Sequence, residues 1–234
     1  MDETPGRVLV VIPHPDDAEG WCGGTVAAWV KGGARVVYVL CTDGSKGTDD
    51  PEMSPQRLAQ IREKEQLEAA SVLGVEDVVL LRHADGELED TYEFRRELVR
   101  AIRLHRPDVI LCPDPYRRKS HWHRDHRIAG QVAADAAFPY ARDHLHFQEL
   151  YRDEGLETHK AGTILFWAPD TPDTHIDIGG HIDTKARALV CHQSQNPGRT
   201  VEQAAEGISQ RARLSAAGSQ VEYAEAFRKV EFRR

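Results

Sequence analysis

Two short segments of the chain combine histidine and aspartate at spacings that suit a metal site. The first places His14 three residues before Asp17, and the second contains His123 and His126, again three residues apart. Imidazole nitrogens and carboxylate oxygens are ligands of zinc, and a catalytic zinc site uses three protein ligands with one open position. Side chains three residues apart share one face of a helical turn. These residue types and spacings therefore predict a catalytic site built around one divalent cation.

The first segment also contains a carboxylate that the metal does not need. Asp16 directly precedes Asp17, so its side chain should point elsewhere and can act as a base. Pro13 and Pro15 restrict the backbone around His14 to extended conformations, which would stiffen the loop. The Gly-Trp-Cys-Gly-Gly run that follows does not match the dinucleotide-binding pattern Gly-x-Gly-x-x-Gly, so a dinucleotide cofactor is not expected.

The elements that must position these side chains alternate between strand and helix. Helical periodicity over 20–31, 54–73 and 91–105 separates continuous apolar, β-branched runs, which are typical of parallel strands covered on both faces. The predicted fold class is therefore α/β, a Rossmann-like three-layer α/β/α arrangement with a mostly parallel sheet. The four strand-like runs are Arg7 to Ile12, Arg35 to Cys41, Asp77 to Leu81 and Asp108 to Cys112.

This fold class brings the two segments together. In the strand order 3-2-1-4, the first and fourth strands are neighbours, and open α/β sheets bind ligands in the crevice at the carboxyl ends of such strands. The segment with His14 follows the first strand, and the segment with His126 follows the fourth. The sequence therefore predicts that two clusters about a hundred residues apart meet at one site.

The rest of the chain adds further helices and strands. We expect a helix from Asp125 to about Ala137, strands over 162–167 and 174–178, and helices over 182–191 and 201–217. The stretch from Phe138 to Lys160 receives no assignment. No internal repeat or linker interrupts the pattern, so residues 1–234 are predicted to form a single domain.

Composition narrows the classes of function. The net charge of −8 and the absence of a basic run argue against nucleic acid as a partner. No apolar run is long enough to span a membrane, and the acidic N-terminus leads directly into a predicted strand, unlike a secretory signal. The four cysteines are scattered without a Cys-x-x-Cys pair, which favours reduced thiols and a cytoplasmic location.

The motifs resemble those of the PIG-L/LmbE family of N-acetylglucosaminyl deacetylases. The similar runs are HPDDAE, WCGGT, VLCTDGSKGT, REKE before LGV, and His-x-Asp-His, and they extend from Val8 to about Gln195. Glu19, two residues after the second aspartate, is similar to the bacillithiol-pathway branch. Arg124 stands where many members have proline, which should alter loop stiffness and leave ligation unchanged.

The resemblance implies a mechanism. It implies that zinc is bound by His14, Asp17 and His126, although such a site can also take Fe²⁺ or another divalent ion. It implies that Asp16 is the general base and that His123, if protonated, stabilises the oxyanion; a capping or packing role is the alternative for His123. A bell-shaped pH profile would then follow, because Asp16 must be ionised while His123 is charged.

The resemblance assigns supporting roles to further residues. It implies that Asp125 orients a histidine and that Arg62, Asp85 and Glu19 contribute to substrate binding. Arg62 also suits a solvated helix face, and Asp85 beside a glycine also suits a plain turn. His121 is more typical of a loop residue than of a ligand. His192 lies in a His-x-Ser-Gln run that family members share, and a packing or capping role is expected for it.

The leading hypothesis is a zinc-dependent hydrolase that removes the N-acetyl group from a small molecule containing N-acetylglucosamine. An amidase acting on thiol conjugates or a chitooligosaccharide deacetylase would use the same site. A metal-dependent phosphoesterase is a different class, but it normally needs ligands for two ions. A non-catalytic sugar-binding module would not need Asp16. Members of the family often assemble, so a homo-oligomer is expected.

Overall fold

The computed structural model of the protein describes residues 4–119 and 123–232, and its strands within these ranges form one sheet. The strand order is β3-β2-β1-β4-β5-β7-β6. The ladders joining β3, β2, β1, β4 and β5 are parallel, whereas β7 runs antiparallel to both β5 and β6. The strands are β1 Arg7–Ile12, β2 Arg35–Thr42, β3 Asp77–His83, β4 Val109–Pro113, β5 Thr163–Trp167, β6 Thr174–Asp177 and β7 Ala224–Glu231.

Helices cover both faces of this sheet. None of the helices in the described ranges has the length and apolar character that crossing a bilayer requires. A π-helical segment, Ala136–Tyr140, and a 3₁₀ turn, Gly179–His181, complete the elements. The helices are α1 Asp17–Trp21, α2 Gly23–Lys31, α3 Pro55–Leu73, α4 Tyr92–His105, α5 Arg124–Asp135, α6 Gln148–Arg152, α7 Ile182–Leu189 and α8 Val201–Ser215.

Alternation along β1 explains the three layers. Leu9 and Val11 belong to a core cluster that also contains residues of α4 and α5. Val8 and Val10 belong to a second cluster with residues of α2 and α3. Successive side chains of a strand point to opposite faces, so a run that is apolar at every position must be covered on both sides. The fold class and the order 3-2-1-4 predicted from the sequence are confirmed.

The first predicted helix differs from expectation. It begins earlier, at Asp17, and divides at Cys22, whose φ of −133° is not helical. The glycines after the break allow close packing, because a Cβ atom on Gly24 would lie 2.8 Å from Ile178. The Gly-Trp-Cys-Gly-Gly run thus lets α2 approach the C-terminal part of the chain.

Strand β7 is an element that the sequence analysis missed. Its sequence, AEAFRKVE, contains four charged residues, and it inserts between β5 and β6. Arg228 forms two hydrogen bonds with Asp114, of 2.8 and 3.0 Å, and Glu225 pairs with Lys185. Arg228 and Glu225 are thus compensated by residues distant in sequence, whereas Lys229 pairs with Glu231 of the same strand. The charged composition is atypical of a strand, and the distant partners are not visible in the local sequence.

The unassigned stretch after α5 is held by one buried arginine. Arg103 of α4 is 2 % exposed, and its guanidinium donates to the carbonyl oxygens of Ala141, Phe147 and His146. A charged group inside a protein must be hydrogen bonded to offset the loss of water. Arg103 therefore organises a segment whose own sequence contains little regular periodicity.

Candidate active site

The turn after β1 arranges His14 and Asp17 face to face. The backbone N–H of His14 donates to Asp17 Oδ2 at 2.9 Å, and the Nδ1 atom of His14 lies 3.3 Å from the same oxygen. Both residues are buried, with exposures of 8 % and 7 %. The turn therefore directs one imidazole nitrogen and one carboxylate oxygen toward a shared position.

Helix α5 brings the second segment to that position. His126 Nε2 lies 3.1 Å from Asp17 Oδ2, and the rings of His14 and His126 are 5.3 Å apart between centroids. The helix can approach β4 because Gly130 has no side chain: a Cβ atom there would lie 2.2 Å from the carbonyl oxygen of Pro113. The expected meeting of the two segments is therefore observed.

Within the described residues, two groups of side chains could each hold a metal ion, and both contain His14. One is His14, Asp17 and His126; the other is His14, Asp85, His123 and Asp125. In each group the potential ligand atoms all lie within 4.8 Å of one another. The first group meets His14 at Nδ1 and the second at Nε2.

The hydrogen bonds of Asp125 favour the first group. Asp125 is fully buried, and its Oδ2 atom lies 2.9 Å from His14 Nε2 while also accepting the N–H of Gly86 at 2.7 Å. Its Oδ1 atom accepts the N–H of Leu88 at 3.3 Å. A carboxylate engaged in this way suits the support of a ligand better than ligation. A proton on Nε2 of His14 directed at Asp125 leaves Nδ1 available to a cation, an arrangement common in metal sites.

The electrostatics around His14 favour a positive charge. Burial lowers the pKa of His14, but hydrogen bonds with three surrounding carboxylates outweigh burial and raise it to about 11. His126 and His14, in turn, hold the pKa of Asp17 well below its usual range, although burial raises it. A site that attracts a proton so strongly also attracts a metal cation, which competes with protons for the same lone pairs.

Asp16 belongs to neither group, and its side chain is 29 % exposed. Its φ of 93° lies in the left-handed region, which costs a non-glycine residue about 1–2 kcal/mol. Burial and the negative charge of Asp17 raise the pKa of Asp16 to about 6, although Arg62 opposes the shift. The residue is thus a carboxylate that can accept a proton near neutral pH, as a general base must.

His123 forms the N-cap of α5. Its Nδ1 atom accepts the backbone N–H of Asp125 at 3.2 Å. Burial and the neighbouring His14 and His126 lower the pKa of His123. A ring that accepts through Nδ1 and resists protonation carries its hydrogen on Nε2. The geometry therefore favours a neutral His123 over the charged form expected from the sequence.

The residues expected to bind substrate occupy different environments. Arg62 is only 4 % exposed, and it donates to the carbonyl oxygens of Gly44 and Pro15 at 3.0 and 2.7 Å, so the solvated-face alternative is wrong. Asp85 Oδ1 lies 3.3 Å from His14 Nε2. Burial raises the pKa of Asp85, but hydrogen bonds from His14 and a backbone amide outweigh it and lower the pKa to about 2.

Glu19 is turned toward the protein interior. It is fully buried, with Oε1 accepting from Gln66 at 3.1 Å and Oε2 lying 3.2 Å from His192 Nε2. The substrate contact expected for Glu19 therefore stays a prediction. The buried position of its carboxylate does not support it. His121 lies outside the described residues.

Sequence reasoning missed Gln66 and Arg117. Gln66 accepts the backbone N–H of Asp16 at 3.1 Å, and Arg117 Nη2 lies 2.9 Å from His126 Nδ1. One signal was available for Gln66, because it lies four residues after Arg62 and so shares its helix face. Arg117 stands in a polar loop, where the sequence offers no comparable signal.

Similarity to known proteins covers the same segments. A model of the PIG-L family, described as GlcNAc-PI de-N-acetylase, matches residues 9–137, more than half of the chain. A diacetylchitobiose deacetylase of Thermococcus kodakarensis is 37 % identical over 191 residues, which cover 82 % of this chain and 70 % of the relative. A probable N-acetyl-alpha-D-glucosaminyl L-malate deacetylase of Bacillus anthracis is 31 % identical over 135 residues, covering 56 % and 58 %.

A solved structure agrees in fold and in sequence. N,N'-diacetylchitobiose deacetylase from Pyrococcus horikoshii, in complex with an inhibitor, superposes with a TM-score of 0.88 at 32 % identity. The superposition covers 97 % of this chain and 84 % of that one. The matched family model and these relatives agree with the resemblance seen in the motifs. The chain belongs to the PIG-L family of N-deacetylases.

Proposed function

We propose that the protein is a zinc-dependent N-deacetylase that releases acetate from a small molecule containing N-acetylglucosamine, with a chitin-derived disaccharide as the first substrate to test. The observation that carries the proposal is the convergence of His14, Asp17 and His126, with the carboxylate of Asp16 beside them and outside the ligand set. The names of the relatives support an acetylated glucosamine as the substrate.

The three-residue group fits a zinc ion. Two imidazole nitrogens and one carboxylate oxygen are a donor set that zinc accepts, and three protein ligands leave a position open. When bound, the ion would polarise the acetyl carbonyl and make a water molecule more acidic. Fe²⁺ or another divalent ion would satisfy the same donors, so reconstitution with several metals belongs to the test.

The chain's own residues move the protons. Asp16 would take a proton as water attacks the acetyl carbon and could pass it to the departing amine. His123 would donate through Nε2–H to the oxygen that gains negative charge. Neutral His123 can do this because its Nδ1 atom already accepts from the backbone of α5. Asp125 would hold the ring of His14 in the tautomer that leaves Nδ1 as the ligand.

Asp85 and Arg62 would act on the substrate side. We place Asp85 at the sugar, since its carboxylate lies beside His14 and outside the three-residue group. Arg62 would contribute chiefly by fixing the loop at Gly44 and the turn at Pro15, because both contacts use its guanidinium. The guanidinium of Arg62 also lies 3.5 Å from Asp16 Oδ2, and its positive charge favours the ionised form of Asp16.

Acetate release tests the proposal. The purified protein is incubated with N,N'-diacetylchitobiose, an N-acetylglucosaminyl malate and an acetylated thiol conjugate, and acetate is measured enzymatically. We expect turnover of at least one acetylated sugar, loss of turnover with a chelator, and recovery with Zn²⁺. Asp16→Asn should lose activity by about a hundredfold or more while still binding metal. The matched surface change Asp153→Asn should leave activity intact.

Two results would contradict the proposal. Metal-loaded protein that releases no acetate from the whole set would contradict the deacetylase, and it would favour a binding module if no other amide is cleaved either. Turnover that survives complete removal of the metal would exclude the proposed role of the three-residue group.

A further inference from the structure

The general base sits in a strained backbone conformation that nearby side chains must maintain. Asp16 has φ 93° and ψ −19°, and L-residues enter this region only when their surroundings hold them there. The backbone N–H of Asp16 donates to Gln66 Oε1 at 3.1 Å, and the preceding carbonyl, that of Pro15, accepts from Arg62 at 2.7 Å. Two side chains one turn apart on α3 thus hold both polar atoms of the single peptide group that joins Pro15 to Asp16.

The orientation of the Gln66 amide is fixed from its other end. Gln66 Nε2 donates to Glu19 Oε1 at 3.1 Å. An ionised carboxylate only accepts hydrogen bonds, so the amide nitrogen must face Glu19 and the amide oxygen must face Asp16. Gln66 and Glu19 are both fully buried, so water does not compete for these bonds. The amide therefore has one satisfactory orientation.

His192 compensates the buried carboxylate. Its Nε2 atom lies 3.2 Å from Glu19 Oε2, and the residue is fully buried. A carboxylate in the interior requires such a donor, because burial without one is costly. Glu19 therefore has donors on both oxygens, one from α3 and one from the segment after α7.

The His-x-Ser-Gln run places this histidine. Two residues after it, Ser194 donates to Glu65 of α3 through its N–H at 2.7 Å and its hydroxyl at 2.6 Å. Gln195 donates to the carbonyl oxygen of Gly47 at 2.8 Å. The run thus connects α1, α3 and the loop after β2, which explains its polar composition.

We propose that Gln66 is a positioning residue of the catalytic base, oriented by the buried pair Glu19 and His192. The chain of contacts runs from His192 to Glu19, from Glu19 to Gln66, and from Gln66 to the backbone of Asp16. This inference rests on the proposed deacetylase function, in which Asp16 accepts the proton. None of the three residues belongs to either candidate metal group.

Steady-state kinetics and metal affinity together test the proposal. Gln66→Met retains the length of the side chain and removes both polar contacts. We expect kcat to fall about ten- to hundredfold, because small misplacements of a catalytic group have effects of this size. The KM and the zinc affinity should stay within about twofold, since the ligands are untouched. Gln60→Met makes the same change on the exposed face of α3 and should behave as wild type.

Two further variants separate positioning from folding. Gln66→Glu combined with Glu19→Gln still offers Asp16 an acceptor and keeps one amide facing one carboxylate, so this double variant should recover part of the activity lost in Gln66→Met. If denaturant unfolding shows that Gln66→Met is not folded, Gln66→Asn replaces it. The shorter amide of asparagine cannot reach both Glu19 and Asp16, so the same fall in kcat is expected.

The outcomes are distinct from those for the function itself. An active wild type combined with an unchanged kcat in a folded Gln66→Met or Gln66→Asn overturns the positioning role alone. The positioning role is also overturned if the double variant is as slow as Gln66→Met, or if the loss appears only in KM or in zinc affinity. A wild type that releases no acetate instead contradicts the proposed function.

Discussion

Asp125 Oδ2 lies 2.9 Å from His14 Nε2, although 111 positions separate the two residues. The contact decides which nitrogen of His14 carries the proton and so which nitrogen can bind a cation. His14, Gly86 and Leu88 all donate to the Asp125 carboxylate, so in Asp125→Asn the amide nitrogen must face one of these donors, and the neutral amide holds the Nε2 proton of His14 less firmly. We expect zinc affinity to fall about ten- to a hundredfold, as for other partners of metal ligands.

Competition with a fluorescent chelator measures this affinity. Asp153→Asn is the matched control, because Asp153 is exposed and distant in sequence from both segments. An Asp125→Asn variant that binds zinc as tightly as the wild type would show that Asp125 does not orient the ligand.

His123→Ala should slow the reaction without releasing the metal. Loss of one donor to an oxyanion lowers kcat by about a hundred- to a thousandfold. Because His123 is outside the three-residue group, zinc affinity should change little. Kinetics and metal content measured on the same preparation test both statements, with the exposed His144→Ala as control. Loss of zinc in His123→Ala would instead support the four-residue group.

The pH profile should have an acid limb set by Asp16. Burial and the charge of Asp17 raise the pKa of Asp16 to about 6, so protonation begins at a higher pH than for an ordinary aspartate. Only the ionised form accepts a proton; kcat/KM should therefore fall about tenfold per pH unit below the pKa and level off above it. A bound cation would move this limb to lower pH. The measurement uses zinc-saturated enzyme whose metal content is checked at each pH. An acid limb that persists unchanged in Asp16→Asn would exclude Asp16 as the base.

Gly130→Ala should disturb both the fold and the site. A Cβ atom would lie 2.2 Å from the carbonyl oxygen of Pro113, so α5 would have to move away from β4. We expect a loss of about 1–3 kcal/mol in the free energy of unfolding, as for other overpacked sites. Zinc affinity should also fall, because His126 moves with the helix. Denaturant unfolding is compared with Gly207→Ala, where the added methyl meets only the end of the Arg199 side chain at 3.1 Å. Equal stability of the two variants would contradict the packing argument.

The sequence predicts the meeting of the two segments because that meeting depends on strand order. The apolar runs over β1 and β4 identify buried parallel strands, and adjacent parallel strands present their carboxyl ends together. His14 and His126 follow those ends, so their proximity follows from the topology. Strand β7 was not predicted because its sequence is rich in charged residues. The residue that neutralises the charge of Arg228 is Asp114, which lies far away in sequence.

The support of the site is harder to predict than its ligands. Gln66 lies in a helix with many charged residues, and its pattern does not show that its face packs against α1. The left-handed conformation of Asp16 cannot be inferred from its residue type, since aspartate enters this region uncommonly. The role of His192 depends on Glu19, 173 positions away. The spacing of Gln66 from Arg62 indicates a shared helix face, but the partners of that face are set by tertiary contacts.

The most direct test of the account is a crystal structure of the zinc-loaded protein with anomalous data at the zinc edge. We predict one ion, with Nδ1 of His14, a carboxylate oxygen of Asp17 and a ring nitrogen of His126 each about 2.0–2.2 Å away, and with Asp16 outside the coordination sphere. An ion bound to Nε2 of His14 together with Asp85 or Asp125 would contradict the account.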